Sequence, residues 1–300
     1  MAAMTLRLFG RFDLFRQDCP VAALGTRRAR ELLGYLALHR SRPQQREALA
    51  GLLWEEAPPE LARKYLRQAL WQVQTALHGD DEAGADAMLE VDPEWIQLNE
   101  SDALEIDVSR FEGAVCRCRG VGGAQLCSAH REALVDAVGL VRGELLDGCY
   151  ANWCLLERER LQIDYLEALE KLVAACEACG DCERGLDFAR RVLAIDPARE
   201  PAHRGVMRLH LAAGNRAEAL RAFERCERVL QQEFGVRPSR QTLLAYEAIR
   251  SDGADAPPIA ANLAGEQLRA LMDVLERARE LLAALEARVR GDLVVPRELD

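Results

Sequence analysis

The strongest constraint on this 300-residue chain is an internal echo. Gly180-Asp181 followed by Leu186 is answered by Gly214-Asn215 followed by Leu220, so glycines and leucines both recur after 34 positions. Each stretch reads as helix, tight turn, helix, with the glycine free to adopt the left-handed turn conformation. A unit of this kind cannot bury its apolar face alone, so several must stack into one continuous core with a concave outer face. Residues 152–178 are long and amphipathic and supply the helix before the first turn. Asp196-Pro197 closes one unit and Gly235-Val236-Arg237-Pro238 the next. From Ile106 onward the periodicity is helical almost throughout, which places an all-α, tetratricopeptide-like region at 106–250.

Two further segments follow. Residues 251–261 are rich in Asp, Ala, Gly and Pro and read as a linker. Residues 262–291 then carry Leu268, Leu271, Leu275, Ala278, Leu282, Leu285 and Val289, alternately three and four apart. That is a heptad seam, suited to self-association with a second copy or to docking back on the repeats as a cap.

The first 105 residues have a different texture. Leu6 to Phe15 alternates apolar and polar residues around Gly10, predicting one or two short strands, with another around Val21 to Leu24. Thr26 is placed to cap a helix over Arg27 to His39. Residues 46–54 form a second, short helix with Leu49, Leu52 and Leu53 turned inward. Residues 60–78 form a third and longer one, opened by Pro58-Pro59. Residues 88–98 then read as a β-hairpin turning at Asp92-Pro93. Strands, three helices and a hairpin make a winged helix-turn-helix, in which the third helix enters the major groove. The fold class is therefore mainly α: a winged helix with small β elements, an all-α repeat domain and a C-terminal heptad helix.

A formal net charge of −10 argues against a nucleic-acid partner until it is divided along the chain. Residues 1–79 carry +5, residues 80–108 carry −11, and the remainder carries −4. The basic segment coincides with the winged helix. On its third helix Leu66, Leu70, Val73 and Leu77 form one apolar stripe, and Lys64, Gln68, Trp71 and Thr75 lie on the opposite face. Arg and Lys suit guanine edges and Gln suits adenine, so Lys64, Arg67 and Gln68 are the base-reading candidates. Arg63 is better placed for phosphate. Arg27 and Arg28, opening the first helix, are candidates for fixing the docking register. A solvated polar face is the alternative for the helix, and burial is the commoner fate of a Trp such as Trp71. Glu90, Asp92 and Glu94 make the hairpin a poor match for a phosphate-lined minor groove.

Several of these stretches, in this order, resemble a known family. Leu6-Arg7-Leu8-Phe9-Gly10, the Thr26–Leu33 helix start and Ala62-Arg63-Lys64-Tyr65-Leu66-Arg67-Gln68-Ala69-Leu70 look like the OmpR-type winged helix of SARP-type regulators. Gly143-Glu144-Leu145-Leu146-Asp147-Gly148, Trp153, Leu156-Glu157-Arg158-Glu159-Arg160-Leu161 and Glu200-Pro201-Ala202-His203 resemble the bacterial transcriptional activator domain that follows it. The resemblance implies a regulator that binds double-stranded DNA, with helical repeats for dimerisation or contact with RNA polymerase. It does not extend to the heptad helix. A P-loop, present in larger members, is missing from this sequence.

Other chemistries find little support. Cys116, Cys118, Cys127 and His130 lack paired knuckle spacing, and Cys176 and Cys182 fall where repeat helices pack, so no metal or cofactor is expected. Gly120-Val121-Gly122-Gly123 lacks the dinucleotide fingerprint and reads as a flexible loop. His203 and His210 read as packing or surface residues, and Glu157, Arg158, Glu159 and Arg160 as a salt-bridged helix face. No catalytic motif is present, so no enzymatic activity is expected. Ten Cys without a secretory signal fit reduced cytoplasmic thiols, and no apolar run is long enough for a membrane. The sequence thus predicts a cytoplasmic, DNA-binding transcriptional regulator, with a repeat adaptor whose winged helix binds protein as the alternative.

Overall fold

A computed structural model of the chain describes residues 4–21, 24–78 and 88–251. Met1–Leu243 form one compact unit and Leu244–Asp300 a second. Of the linker read at 251–261, Ser251 is the last residue of a helix; the rest of the linker and the heptad segment with its seam positions lie outside the described residues.

The chain begins with β1 (Met4–Arg7) and β2 (Asp13–Arg16), antiparallel, with Leu6 opposite Leu14. The bend falls at Gly10, whose φ of 88° few other residues tolerate. β3 (Cys19–Pro20) extends the sheet, so the strand expected around Val21–Leu24 comes earlier, and Ala22 and Ala23 lie outside the described residues. Helix α1 (Arg27–Leu38) starts at Thr26, whose hydroxyl accepts from the Ala29 N–H at 3.3 Å. β4 (Gln44–Gln45) leads into α2 (Arg46–Leu53), in which Leu49 and Leu53 are buried but Leu52 is only half-buried. Helix α3 (Pro59–His78) follows. The hairpin is β5 (Leu89–Val91) with β6 (Trp95–Leu98), and β4 joins it in the order β4-β6-β5. Two residues are too few for β4 to have shown as an alternating pattern.

β7 (Leu104–Ile106) returns to the first sheet and pairs with β1 in parallel, giving the order β3-β2-β1-β7. It feeds directly into α4 (Asp107–Arg117). Asp107 is buried, and its carboxylate accepts from the Leu8 N–H at 2.9 Å, the Phe9 N–H at 3.1 Å and the Val108 N–H at 2.7 Å. One side chain therefore satisfies backbone donors at the end of β1 and at the start of α4. Burial pushes its carboxyl above the usual carboxylate range, against the pull of these three amides.

The segment after α5 (Ser128–Leu140) is the second fastening. Phe9 bridges Leu145; the Leu146 N–H donates to Leu8 O, and the Asp147 N–H to Gly10 O, both at 2.8 Å. Leu146 sits at φ 49° with its side chain against Gly34 of α1, where an added Cβ would lie 2.9 Å from Leu146 Cδ1. The Gly143–Gly148 motif thus joins the winged helix to the repeats. Arg158 does not form the expected helix-face pair; it donates to Leu145 O at 2.7 Å and Leu146 O at 2.8 Å and locks this segment down. Arg160 does pair on the helix face, with Glu157 at 2.8 Å.

The repeats comprise α6 (Asn152–Cys179), α7 (Cys182–Ile195), α8 (Glu200–Ala212) and α9 (Arg216–Phe234), then α10 (Arg240–Ser251). Gly180 and Gly214 end their helices at φ 78° and 76°, the positive angles that the 34-residue echo implied. The core holds Leu169, Leu172, Cys176, Val192, Leu209, Ala222 and Cys226, with Cys176 packed as expected and Cys182 only half-buried. His203 is a packing residue, its Nε2 2.9 Å from Pro197 O. The glycine-rich loop is not loose. Gly123 opens a short 3-10 turn pressed so tightly on α6 that a Cβ would come within 2.3 Å of Lys171 O.

Candidate nucleic-acid interface

Helix α3 is held on three sides. Its inner face (Leu66, Leu70, Val73 and Leu77) is buried, as the stripe predicts. Its C-terminal carbonyls are gripped by β2, where Arg16 donates to Ala76 O at 3.0 Å and Leu77 O at 3.2 Å, a favourable place for a cation. Thr26, while capping α1, also donates to Gln72 Oε1 at 2.7 Å. The outer face is therefore presented by a helix whose axis and rotation are both fixed, which recognition of base edges needs.

On that face Lys64, Arg67 and Gln68 are exposed and pair with nothing else among the described residues. Their donors remain available to an external acceptor. Trp71 is 65% exposed rather than buried, against the usual fate of its residue type. Thr75 is exposed, but its hydroxyl donates to Trp71 O one turn back at 2.8 Å. Arg63 is drawn aside by Glu47 of α2 at 3.0 Å.

Arg27 and Arg28 have a different setting. Both pair at 2.7 Å with Glu31, whose side chain is almost fully buried. They line a cleft of about 500 Å³ shared with the end of α2, Glu55, Glu56 and the start of α6 at Tyr150–Asn152. The hydrogen bond and charge of Glu31 raise the Arg27 pKa further. Cys149 completes the cluster, its Sγ 3.7 Å from Glu31 Oε1. A hydrogen bond with Cys154 draws the Cys149 thiol down to about 7 and pushes that of Cys154 up.

The wing is less hostile to DNA than its composition implies. Asp92 Oδ1 accepts from the Glu94 N–H at 2.7 Å and the Trp95 N–H at 2.6 Å, so this carboxylate is occupied in closing its own turn. Arg46 braces the same turn, donating from Nη1 to Asp92 O at 3.0 Å and from its backbone N–H to Glu94 O at 2.9 Å. Between wing and α3 lies a groove of about 520 Å³ lined by Arg46, Arg63 and Arg67 with Glu47 and Asp92. Arg46 and the 41%-exposed Trp95 join the candidates. Sequence reasoning missed both, although Arg46 is a cation opening a helix and Trp95 an aromatic on a polar hairpin.

Among the described residues no group of three or more His, Cys, Asp or Glu side chains is arranged to hold a metal ion. No helix there is long and apolar enough to cross a membrane.

Comparison with known proteins bears on the whole arrangement. Residues 106–250 match the family described as bacterial transcriptional activator domain. The resemblance to SARP-type regulators read from the motifs is borne out. The chain is 27% identical over 232 residues to transcriptional regulatory protein MoaR1 of Mycobacterium tuberculosis, covering 75% of this chain and 73% of that one. It is 26% identical over 238 residues to transcriptional regulatory protein EmbR of the same species, covering 77% of this chain but 59% of EmbR. The structure of M. tuberculosis EmbR, solved with a low-affinity phosphopeptide, is similar with a TM-score of 0.74 at 22% identity, over 92% of this chain and 72% of that one. The mainly α class with a small-stranded N-terminus agrees with that fold.

Proposed function

We propose that this chain is a DNA-binding transcriptional regulator, an activator by the nature of its helical domain. The observation that carries this reading is the outer face of α3, where Lys64, Arg67 and Gln68 stand exposed and unpaired on a helix buried along its inner face and held through its C-terminal half by Arg16 and Thr26. The names of MoaR1 and EmbR support the regulatory role. Lys64, Arg67 and Gln68 read bases, with Trp71 against sugar or a thymine methyl. Arg63 leaves Glu47 for a backbone phosphate, while Arg27, Arg28 and Thr75 flank the contact. The winged helix spans 1–105 and the activator domain 106–250, whose helices contact RNA polymerase. The heptad positions Leu268, Leu271, Leu275, Leu282, Leu285 and Val289 pair two copies, so target sites come as repeated half-sites.

Selection of genomic duplex fragments on the full chain at moderate salt tests this. A recovered motif is expected, with Arg67→Ala relaxing preference at one position and lowering affinity by about 1–3 kcal/mol. No enriched sequence, or an Arg67→Ala protein selecting like the parent, would refute it. Sedimentation of the full chain against a truncation after Gly253 tests pairing; equal monomer masses would exclude it.

A further inference from the structure

A cavity of about 470 Å³ opens where the two halves of the first unit are fastened together. It lies within the size range of small-molecule sites. Much of its wall is apolar, with Phe9 from the bend after β1, Leu145 from the fastening segment, Leu161 from α6 and Ile195 at the end of α7, and its charged lining is Arg142, Glu144 and Arg158. Two other clefts of similar size carry more charged groups in their lining, such as Arg27, Glu55 and Glu56, or Arg46, Glu47 and Arg67.

The charges at this cavity are unequal. Arg158 is spent on two carbonyls and on Glu144, at 3.1 Å. Arg142 also lines the cavity, is exposed, and has no ion-pair or hydrogen-bond partner among the described residues. The charge of Arg142 is felt by the buried Asp107 carboxyl, but its guanidinium makes no direct bond, and such a group beside an apolar wall suits a ligand with one negative charge and a hydrocarbon body. A cationic or uncharged amphiphile would leave Arg142 unanswered.

We infer that this cavity is an effector site for a small aliphatic or aromatic carboxylate, whose carboxyl group pairs with Arg142 and whose apolar body lies between Phe9, Leu161 and Ile195. The occupant touches both the end of β1 and helix α6, so binding tightens the joint between the winged helix and the repeats. Only the regulatory consequence rests on the function proposed above; the binding itself does not.

The test uses the full chain without DNA, so failure to find a DNA target has no bearing on it. Octanoate, octylamine and octanol are titrated in turn by calorimetry, with thermal unfolding in parallel. Octanoate is expected to saturate one site and raise the melting temperature, and octylamine to do neither. Arg142→Glu, a change at an exposed unpaired position, should weaken octanoate about tenfold or more. Ile195→Trp, which fills the rim of the cavity, should abolish saturation while the protein still melts as the parent does. Equal binding of octanoate and octylamine, an unchanged octanoate affinity in Arg142→Glu, or no saturable octanoate binding would each overturn the inference.

Discussion

Replacing Asp107 by alanine should be among the most damaging single changes outside the repeat core. Its carboxylate is the acceptor for the N–H groups of Leu8, Phe9 and Val108, and all three residues are buried. A buried donor left without an acceptor costs about 1–3 kcal/mol. Three such donors lose about 3–9 kcal/mol. Part of this is offset because the variant no longer buries an ionised carboxyl, the same desolvation that raises the Asp107 pKa. Water reaching the cavity recovers a further part. A net loss of about 2–5 kcal/mol remains, which in a unit of this size lowers the melting temperature by roughly 4–20 °C. Asp107→Asn keeps one acceptor oxygen and should lose about half as much. The assay is urea unfolding followed by far-UV dichroism, with parent and both variants at pH 7. An Asp107→Ala midpoint equivalent to less than about 0.5 kcal/mol of lost stability would refute the reasoning, because it would mean these amides do not depend on the carboxylate.

The remaining predictions concern charge, close packing and pH. The double change Arg27→Ala with Arg28→Ala leaves Glu31 buried without a cation and should cost about 3–5 kcal/mol; adding Glu31→Gln should restore much of it, and no restoration in urea titrations would count against the pairing. Gly123→Ala must push the loop off α6, because the new methyl would lie 2.3 Å from a backbone oxygen; a loss of about 1–3 kcal/mol in thermal melts is expected, and an unchanged melt would contradict that contact. His203 is held neutral by burial, its pKa lowered from 6.5. A depressed folded value means that its contribution is fully present above pH 6.5 and is lost as pH falls through the folded value. The Asp107 carboxyl, being raised, acts with the opposite sign and at lower pH. His203→Gln should therefore flatten the decline in stability between about pH 7 and 5, and a parallel decline would argue against His203 as the titrating group. Arg63→Ala should reduce the slope of log affinity against log salt on DNA by about one, with no change in slope ruling out a phosphate contact.

The parts of the fold that follow from local chemistry were legible in the residues. Thr26 before an amphipathic run marked a helix start because its hydroxyl can reach the third amide onward, and it does so. The glycines 34 apart marked turns because their backbones take positive φ. What escaped depends on partners far away in sequence. β4 has two residues and exists because β6 lies beside it, and β7 is a strand because β1 offers it an edge. Arg158 sits in a run of alternating charge that reads as a solvated face, yet its guanidinium turns inward to Leu145 and Leu146. Gly123 reads as loop chemistry, whereas its lack of a side chain serves contact with a helix 48 residues on. The outer face of α3 was read from spacing alone; that Lys64, Arg67 and Gln68 stay unpaired while Arg63 does not is a fact about α2, where Glu47 happens to face it.

That difference bears on how charge is weighed in this chain. The net charge of −10 and the acidic hairpin both argue against DNA when counted by residue. Counted by what each carboxylate does, the argument weakens. Asp92 is turned into its own hairpin, Glu47 holds Arg63, and Glu31 is buried beneath Arg27 and Arg28. A carboxylate already engaged by amides or a guanidinium projects a weaker field than a free one, and DNA responds to fields within about 8–10 Å rather than to totals. Glu90 and Glu94 remain exposed on the wing. On the proposed reading they keep the wing tip from close phosphate approach and concentrate recognition on α3 and the Arg46 side of the groove. Removing the two wing glutamates should then raise affinity for all duplexes alike while leaving the order of preferred sequences as it was. A change in that order on competitive selection would mean that the wing itself reads DNA.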